Sequence, residues 1–365
     1  MSIKKLIITL VLLATSFAGW YGYRWMPPRV SLTTEEHNNV THFLQGMTTR
    51  CLGRYLIDLP DTFATSSDQV IAYVNKSPLN YKRIYPPAFK QKIRLREIEL
   101  SATKTLRPQD MPFLKAIHSL PDGIQGVIFE RNESTQIPDA SRILEAHLYT
   151  NGVAVEITME ADNGLSSRYD EERKQTPEIY GNTVPQKLIE LTKLLKRISG
   201  RKENDIPNIP GFCLPELFIK DGDSKQKERY GFLYKSPEFP ALDFDFDSDN
   251  YIASDDSLLE RSAMMERNIK RAEGNTIASG RCNINGLYAE QWLAKGLLSD
   301  TYGEKALRFV INFNEKTASP KHPMLSLTFL QQGLEGEGRL TEAEAVSIWQ
   351  QITDTIRIRP NAIAK

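Results

Sequence analysis

The chain has 365 residues, 40% hydrophobic and 25% charged, with 46 Lys+Arg set against 46 Asp+Glu. That composition excludes wholesale disorder, and the length fits two domains. A formal net charge of zero argues against nucleic acid as the partner, since phosphate neutralisation needs a basic surplus or a basic face. Five histidines and three cysteines leave little material for a multi-metal enzyme.

Lys4 and Lys5 precede an uncharged run from Leu6 to Tyr23, closed by Arg24. As a helix the run would be about 27 Å long, close to the ~30 Å of a bilayer core. Residues 1–26 therefore read as a signal anchor or signal peptide, with Trp20, Tyr21, Tyr23 and Trp25 at headgroup level. Ser16-Phe17-Ala18 makes a poor cleavage site, which favours an uncleaved membrane anchor over a cleaved signal. Either way the rest of the chain is expected across the membrane.

Residues 34–46 read as a short helix capped by Thr33 or Thr34. Cys51–Leu59 reads as one strand stopped by Pro60, and 69–75 as another. A charged amphipathic helix is expected over 88–104, then strands over 124–130, 143–150 and 153–160. Asn151-Gly152 marks a hairpin between the last two. Leu188, Leu191, Leu194 and Leu195 give helical spacing to 185–198. A polar stretch with Pro207 and Pro210 follows and reads as a linker.

Beyond it the order of elements repeats, at offsets near 160 residues. Gly211-Phe212-Cys213 resembles Cys51-Leu52-Gly53, Gly286–Glu290 resembles Gly126–Glu130, and Phe309–Asn314 resembles Ala146–Asn151. A closing helix is expected near 341–355. The expected fold is α+β: two similar domains, each a mostly antiparallel sheet with helices on one face. The boundaries are 31–200 for the first, 201–210 for the linker and 211–365 for the second. Cys51 and Cys213 stand at equivalent places, whereas Cys282 has no counterpart. If a disulfide forms, a Cys51–Cys213 bridge, stapling the two copies, is favoured over Cys213–Cys282; three unconnected buried thiols are the other reading.

Motifs for chemistry are missing. There is no Gly-x-Ser-x-Gly, no His-Glu-x-x-His and no CxxC, and Gly333–Gly338 lacks the lysine of a phosphate loop. No catalytic residue, metal site or cofactor is expected. One run stands out, Asp243-Phe-Asp245-Phe-Asp247-Ser-Asp249-Asn250. It follows part of a calcium-loop pattern, but Asn250 replaces the turn glycine and Asp256 the bidentate glutamate. As a strand it would turn Leu242, Phe244 and Phe246 inward and its aspartates outward. Asp243, Asp245, Asp247 and Asp249 would then form an acidic patch for a basic partner. The helix expected over 256–273, with Met264 and Met265, reads as core packing.

The string Met47–Pro60 (MTTRCLGRYLIDLP) resembles the opening of a known bacterial family, the immunity proteins of type VI secretion lipase effectors, fourth class. Ile209–Leu214, Ser257–Arg261, Ser347-Ile-Trp349 and Ile356–Ala362 resemble that family's C-terminal domain. Cys282 is extra to the pattern. The resemblance implies a two-domain, claw-like periplasmic protein without catalysis. Its partner would be a cognate α/β-hydrolase phospholipase, held at the acidic strand or in a cleft between the copies. A periplasmic scaffold without a toxin partner is the alternative, and an enzyme with a scattered site a more distant one.

Overall fold

The computed structural model describes residues 30–222, 226–297, 303–336 and 338–363. The expected anchor over 1–26 lies outside them. Among the described residues no helix is long and apolar enough to cross a membrane.

The chain forms two compact units that interleave in sequence. One holds the described residues up to Arg50, then Tyr55–Thr65 and Gly231–Arg359; the other holds Cys51–Arg54, Ser66–Tyr230 and the described residues from Pro360 onward. The reason is an exchange of hairpins between the two repeats. The first hairpin, β1 (Met47–Leu52) and β2 (Tyr55–Pro60), pairs through β2 with β18 (Arg357–Ile358) at the far end of the chain. The second, β10 (Gly211–Leu214) and β11 (Leu217–Lys220), pairs through β11 with β9 (Ile198–Gly200), the last strand of the first repeat. Each repeat thus has its opening hairpin completed by the other's closing strand.

The stretch expected as one strand over Cys51–Leu59 is two strands around a tight turn. Gly53 sits there at φ +60, and a Cβ on it would lie 1.4 Å from the Tyr230 hydroxyl oxygen. Only glycine combines that dihedral with that close approach.

The larger sheet of each unit is antiparallel and repeats one strand order. In the second-named unit β3 (Val70–Val74), β4 (Ser77–Arg83), β8 (Val153–Asp162), β7 (Ser141–Thr150), β6 (Gln125–Asn132) and β5 (Leu114–Ser119) lie side by side. In the first-named the order is β12 (Glu228–Lys235), β13 (Leu242–Asp249), β17 (Met324–Gln332), β16 (Lys305–Phe313), β15 (Leu287–Leu297) and β14 (Asn275–Ile284). The duplication read from the sequence is therefore visible in the topology. The Asn151-Gly152 turn takes positive φ at both residues, 47 and 83, as a two-residue hairpin requires.

Helices cover both faces of each sheet, not one as expected. In the unit of β3–β8, α2 (Pro86–Ala102) lies on the face of Phe129 and Glu145, with Leu100 packed on Phe129. There α5 (Val184–Leu195) takes the opposite face, bringing Leu188 beside Ile128; α3 (Asp170–Gln175) and α4 (Pro177–Tyr180) are short connectors. Strands with apolar residues on both sides cannot leave either face to water.

Polar groups under α2 are satisfied together. Glu145, 1% exposed, accepts two hydrogen bonds from Arg96 and one from Arg131, each at 2.7 Å, with the His147 ring at 2.9 Å. Burial alone would raise its pKa, but Arg96, His147 and Arg131 hold it well below the ordinary carboxylate range. Its contribution to stability should be complete above the unfolded carboxylate pKa of about 4.3 and fade as pH falls below that. Thermal midpoints from pH 3 to 7 check this: Glu145→Gln should be less stable at pH 7 and show a shallower acid decline.

In the other unit, α1 (Thr34–Phe43) and α7 (Glu342–Thr353) start with the same device. Thr33 and Glu36 form one capping box, Thr341 and Glu344 another. The boxes are cross-linked, since Thr341 donates to Glu36 at 2.8 Å and Asn39 to Glu344 at 2.7 Å. Below them runs an aromatic core. Phe63, Phe244, Phe329, Phe309 and Trp349 follow one another at ring separations of 5.1, 5.4, 5.3 and 5.9 Å, within the range that favours tilted pairs.

Candidate functional site

The acidic run is β13, and its register decides what each aspartate faces. Leu242, Phe244 and Phe246 are buried in the aromatic core. Pairing with β17 runs from Leu242↔Gln331 to Asp249↔Met324. Side chains alternate across a strand, so Asp243, Asp245 and Asp247 share the outer face with Leu330, Thr328 and Ser326. Further registers extend this face to Arg308 and Val310 on β16 and to Trp292 and Ala294 on β15.

The four predicted aspartates do not play one role. Asp249, 5% exposed, accepts the Tyr251 and Ile252 backbone N–H groups at 2.7 Å each and closes the turn after the strand. Asp243 is nearly buried, with the Lys235 ammonium 3.7 Å away. Asp245 and Asp247 are exposed, and Asp247 stands over Gly231, where a Cβ would come within 2.8 Å of its carboxylate. Partial burial, then the charges of Asp247 and Asp243, raise the Asp245 pKa, with Arg308 opposing. Burial raises that of Asp243 as well. Like charges stacked on one face oppose folding.

On the same face, α6 (Ser262–Arg271) overlies part of the sheet. The expectation of core packing fails for it: none of its residues is buried, and Met264 is 44% exposed. Among the described residues no group of three or more His, Cys, Asp or Glu is placed to hold a metal ion. The face combines the carboxylates of Asp243, Asp245 and Asp247 with Thr328, Ser326, Arg308 and apolar side chains.

Cys51 and Cys213 form a disulfide, S–S 2.10 Å and Cα–Cα 5.7 Å. Both belong to the same compact unit, so the bond ties one hairpin to the other there. It does not span the two units as a staple would. Cys282 is a free thiol, and burial, then the Asp354 charge, push its pKa up to about 11.

Beside the disulfide lies a feature that sequence reasoning missed. The Arg54 side chain, 4% exposed, donates to Asp221 at 3.0 and 2.6 Å and to Glu228 at 3.0 and 2.5 Å. It also donates to the Ala362 carbonyl at 2.5 Å. Glu228 is fully buried, and burial raises its pKa while Arg54 opposes. Arg201 completes the cluster, donating to the carbonyls of Cys51 at 3.1 Å and Leu214 at 2.8 Å. A Gly-Arg pair in a turn was the one sequence signal available, because the partners lie more than 160 positions away.

Residues 48–201 match the family described as Tle cognate immunity protein 4 N-terminal domain, and residues 205–361 match its C-terminal domain. No curated protein matches the chain. Among solved structures, it is similar to the apo immunity protein TplEi of T6SS from Pseudomonas aeruginosa, at 23% identity and TM-score 0.68, over 87% of this chain and 98% of that one. A Tle4–Tli4 complex matches at 22% identity and TM-score 0.68, over 86% and 98%. TplEi complexed with "L" peptide matches at 23% and 0.63, over 87% and 99%. At these identities the likeness establishes the fold.

Proposed function

This chain belongs to the Tle cognate immunity protein 4 family, and from that premise we propose that it binds and inhibits a cognate type VI secreted phospholipase. The family is one of immunity proteins and not of enzymes. The observation that carries the reading is the presence of both family domains, in order, over residues 48–361. A similar fold stands in a solved complex titled Tle4–Tli4, which supports a protein partner of that kind here. Inhibition then needs no chemistry from this chain: covering the lipase mouth or holding its lid shut suffices. The site of action is the periplasm, with residues 1–26 tethering the protein to the inner membrane, or cleaved to release it.

Co-expression tests the reading. Cells exporting the cognate lipase should lyse, and cells that also make this chain should survive. Continued lysis at equal expression would overturn it.

The exposed part of the acidic face, Asp245 and Asp247 with Asp243 at its margin, is the proposed contact for a basic patch on the effector. The double charge reversal Asp245→Lys and Asp247→Lys should slow association about tenfold at low salt and flatten its salt dependence. Since the raised pKa of Asp245 marks a charge that opposes folding, Asp245→Asn should stabilise by a few tenths of a kcal/mol. It should weaken binding at the same time. Urea midpoints and association rates on the same variant test the pair, and a loss of stability with unchanged binding would assign Asp245 to structure alone.

A further inference from the structure

Helix α2, which covers one face of the β3–β8 sheet, carries apolar side chains on two opposite sides. Phe89 and Leu100 are buried, and Ile93 packs against the cluster of Leu100, Phe113 and Phe129; these hold the helix to the sheet. Lys92 and Arg96 turn the same way, ion-paired with Glu156 at 3.0 Å and with Glu145 at 2.7 Å. At about 3.6 residues per turn, Leu95, Ile98 and Ala102 fall on the far side, where Leu95 is 57% and Ile98 55% exposed. The sheet uses none of that second stripe. Apolar exposure extends past both helix ends. Tyr85, the N-cap, is 83% exposed and Leu106 76%, the two highest values for large apolar side chains among the described residues. Singly such side chains are ordinary; gathered in one segment they mark a contact surface.

The same segment is basic. From Pro86 to Arg107 it holds Lys90, Lys92, Arg94, Arg96, Lys104 and Arg107 against Glu97 and Glu99, in a chain of zero formal net charge. Lys92, Arg96 and Arg107 are held in ion pairs. Lys90, Arg94 and Lys104 are exposed and make no salt bridge among the described residues. Lys90, Arg94 and Ile98 follow one i, i+4 row, so cations stand beside the apolar stripe. Glu97 and Glu99 fall on the flanks, and Glu99 is taken by Arg96 at 2.8 Å. Two such faces would repel each other, which argues against a second copy. A protein groove takes a helix by apolar anchors at i, i+3, i+4 and i+7, and the outer side of α2 offers only Leu95 and Ile98, on a ridge. A few inserted side chains flanked by cations are instead what reversible binding to an anionic bilayer takes. With Arg94 and Arg96 at its middle the helix cannot span a membrane. It would lie along the surface, its cation stems reaching back to the phosphates.

We propose that the outer side of α2 docks reversibly on a bilayer surface containing anionic lipid, Leu95 and Ile98 entering the headgroup layer and Lys90, Arg94 and Lys104 meeting the phosphates. The proposal does not rest on the effector reading, and vesicles without lipase test it alone.

The test uses the full-length chain with a polarity-sensitive dye on Ile98→Cys, and Cys282→Ser to remove the free thiol. The control carries the dye on Ile252→Cys, a position 51% exposed in the other unit. A local probe keeps the result separate from any insertion of residues 1–26. Vesicles of equal parts phosphatidylcholine and phosphatidylglycerol should shift the emission at position 98 to the blue and leave position 252 unmoved. Phosphatidylcholine alone should give little shift, and added salt should reverse it. The double reversal Lys90→Glu and Arg94→Glu, at exposed positions, should weaken the response about tenfold or more, and Leu95→Gln about tenfold. No shift at position 98 on the mixed vesicles would overturn the proposal. So would an equal shift at position 252, or a shift unchanged by the charge reversal or by leaving out the anionic lipid. A dye that answers to the cognate lipase and not to vesicles would overturn it as well, and would give this side of the helix to the effector.

Discussion

Replacing Cys51 and Cys213 together by serine is expected to lower the free energy of unfolding by about 5 kcal/mol. The bridged residues are 162 apart in sequence, and in the chain-entropy account closing a loop of that length restricts the unfolded chain by about that amount. Both cysteines are fully buried, so a reductant should act slowly on the folded protein and quickly in denaturant. Urea unfolding with and without reductant measures the effect. Cys282→Ser is the control, and a double variant no less stable than that control would contradict the expectation.

Arg54→Met should cost about 3–5 kcal/mol, because it leaves the buried Glu228 without its counter-charge. The pH dependence separates this from lost packing. Burial already raises the folded pKa of Glu228, and removing Arg54 takes away what opposes that rise. The folded state then holds a proton that the unfolded state releases, so stability falls as pH climbs from the unfolded carboxylate value toward the folded one. The variant should therefore lose more stability than the wild type between pH 5 and 8. Adding Glu228→Gln should recover part of the loss, as expected for groups in one network. A cost independent of pH, with no recovery, would mean that Arg54 acts as a spacer. The two effects should not add, since Arg201 binds the Cys51 carbonyl and the disulfide lies in the same cluster.

What the sequence made legible was what short spacing controls. The helix start at Thr33 or Thr34, the Asn151-Gly152 turn and the alternation of Phe244 and Phe246 with aspartates each lie within a few residues, and each is found where the pattern puts it, with Thr33 as the cap. The doubling of the fold was legible too, because strand formers recur in the same order. The hairpin exchange was not. Nothing local in Tyr55–Pro60 marks Arg357–Ile358 as its neighbour, and the order of elements is the same with or without exchange. The second layer of helices was missed for a related reason. Strands such as Ile143–Leu148 read as strands whether one face is buried or both, and only the helices' positions tell which. The acidic site was half legible: the sequence placed four aspartates outward but not that Asp249 closes a turn. The Arg54 cluster joins residues from both ends of the chain and leaves no periodic trace.

The most direct test of the account is a titration of the cognate lipase with this protein while phospholipid hydrolysis is followed. The account predicts a linear loss of activity that reaches zero at one equivalent, with an unrelated lipase unaffected. Hydrolysis undiminished at several-fold excess, with no complex detected by direct binding, would contradict it.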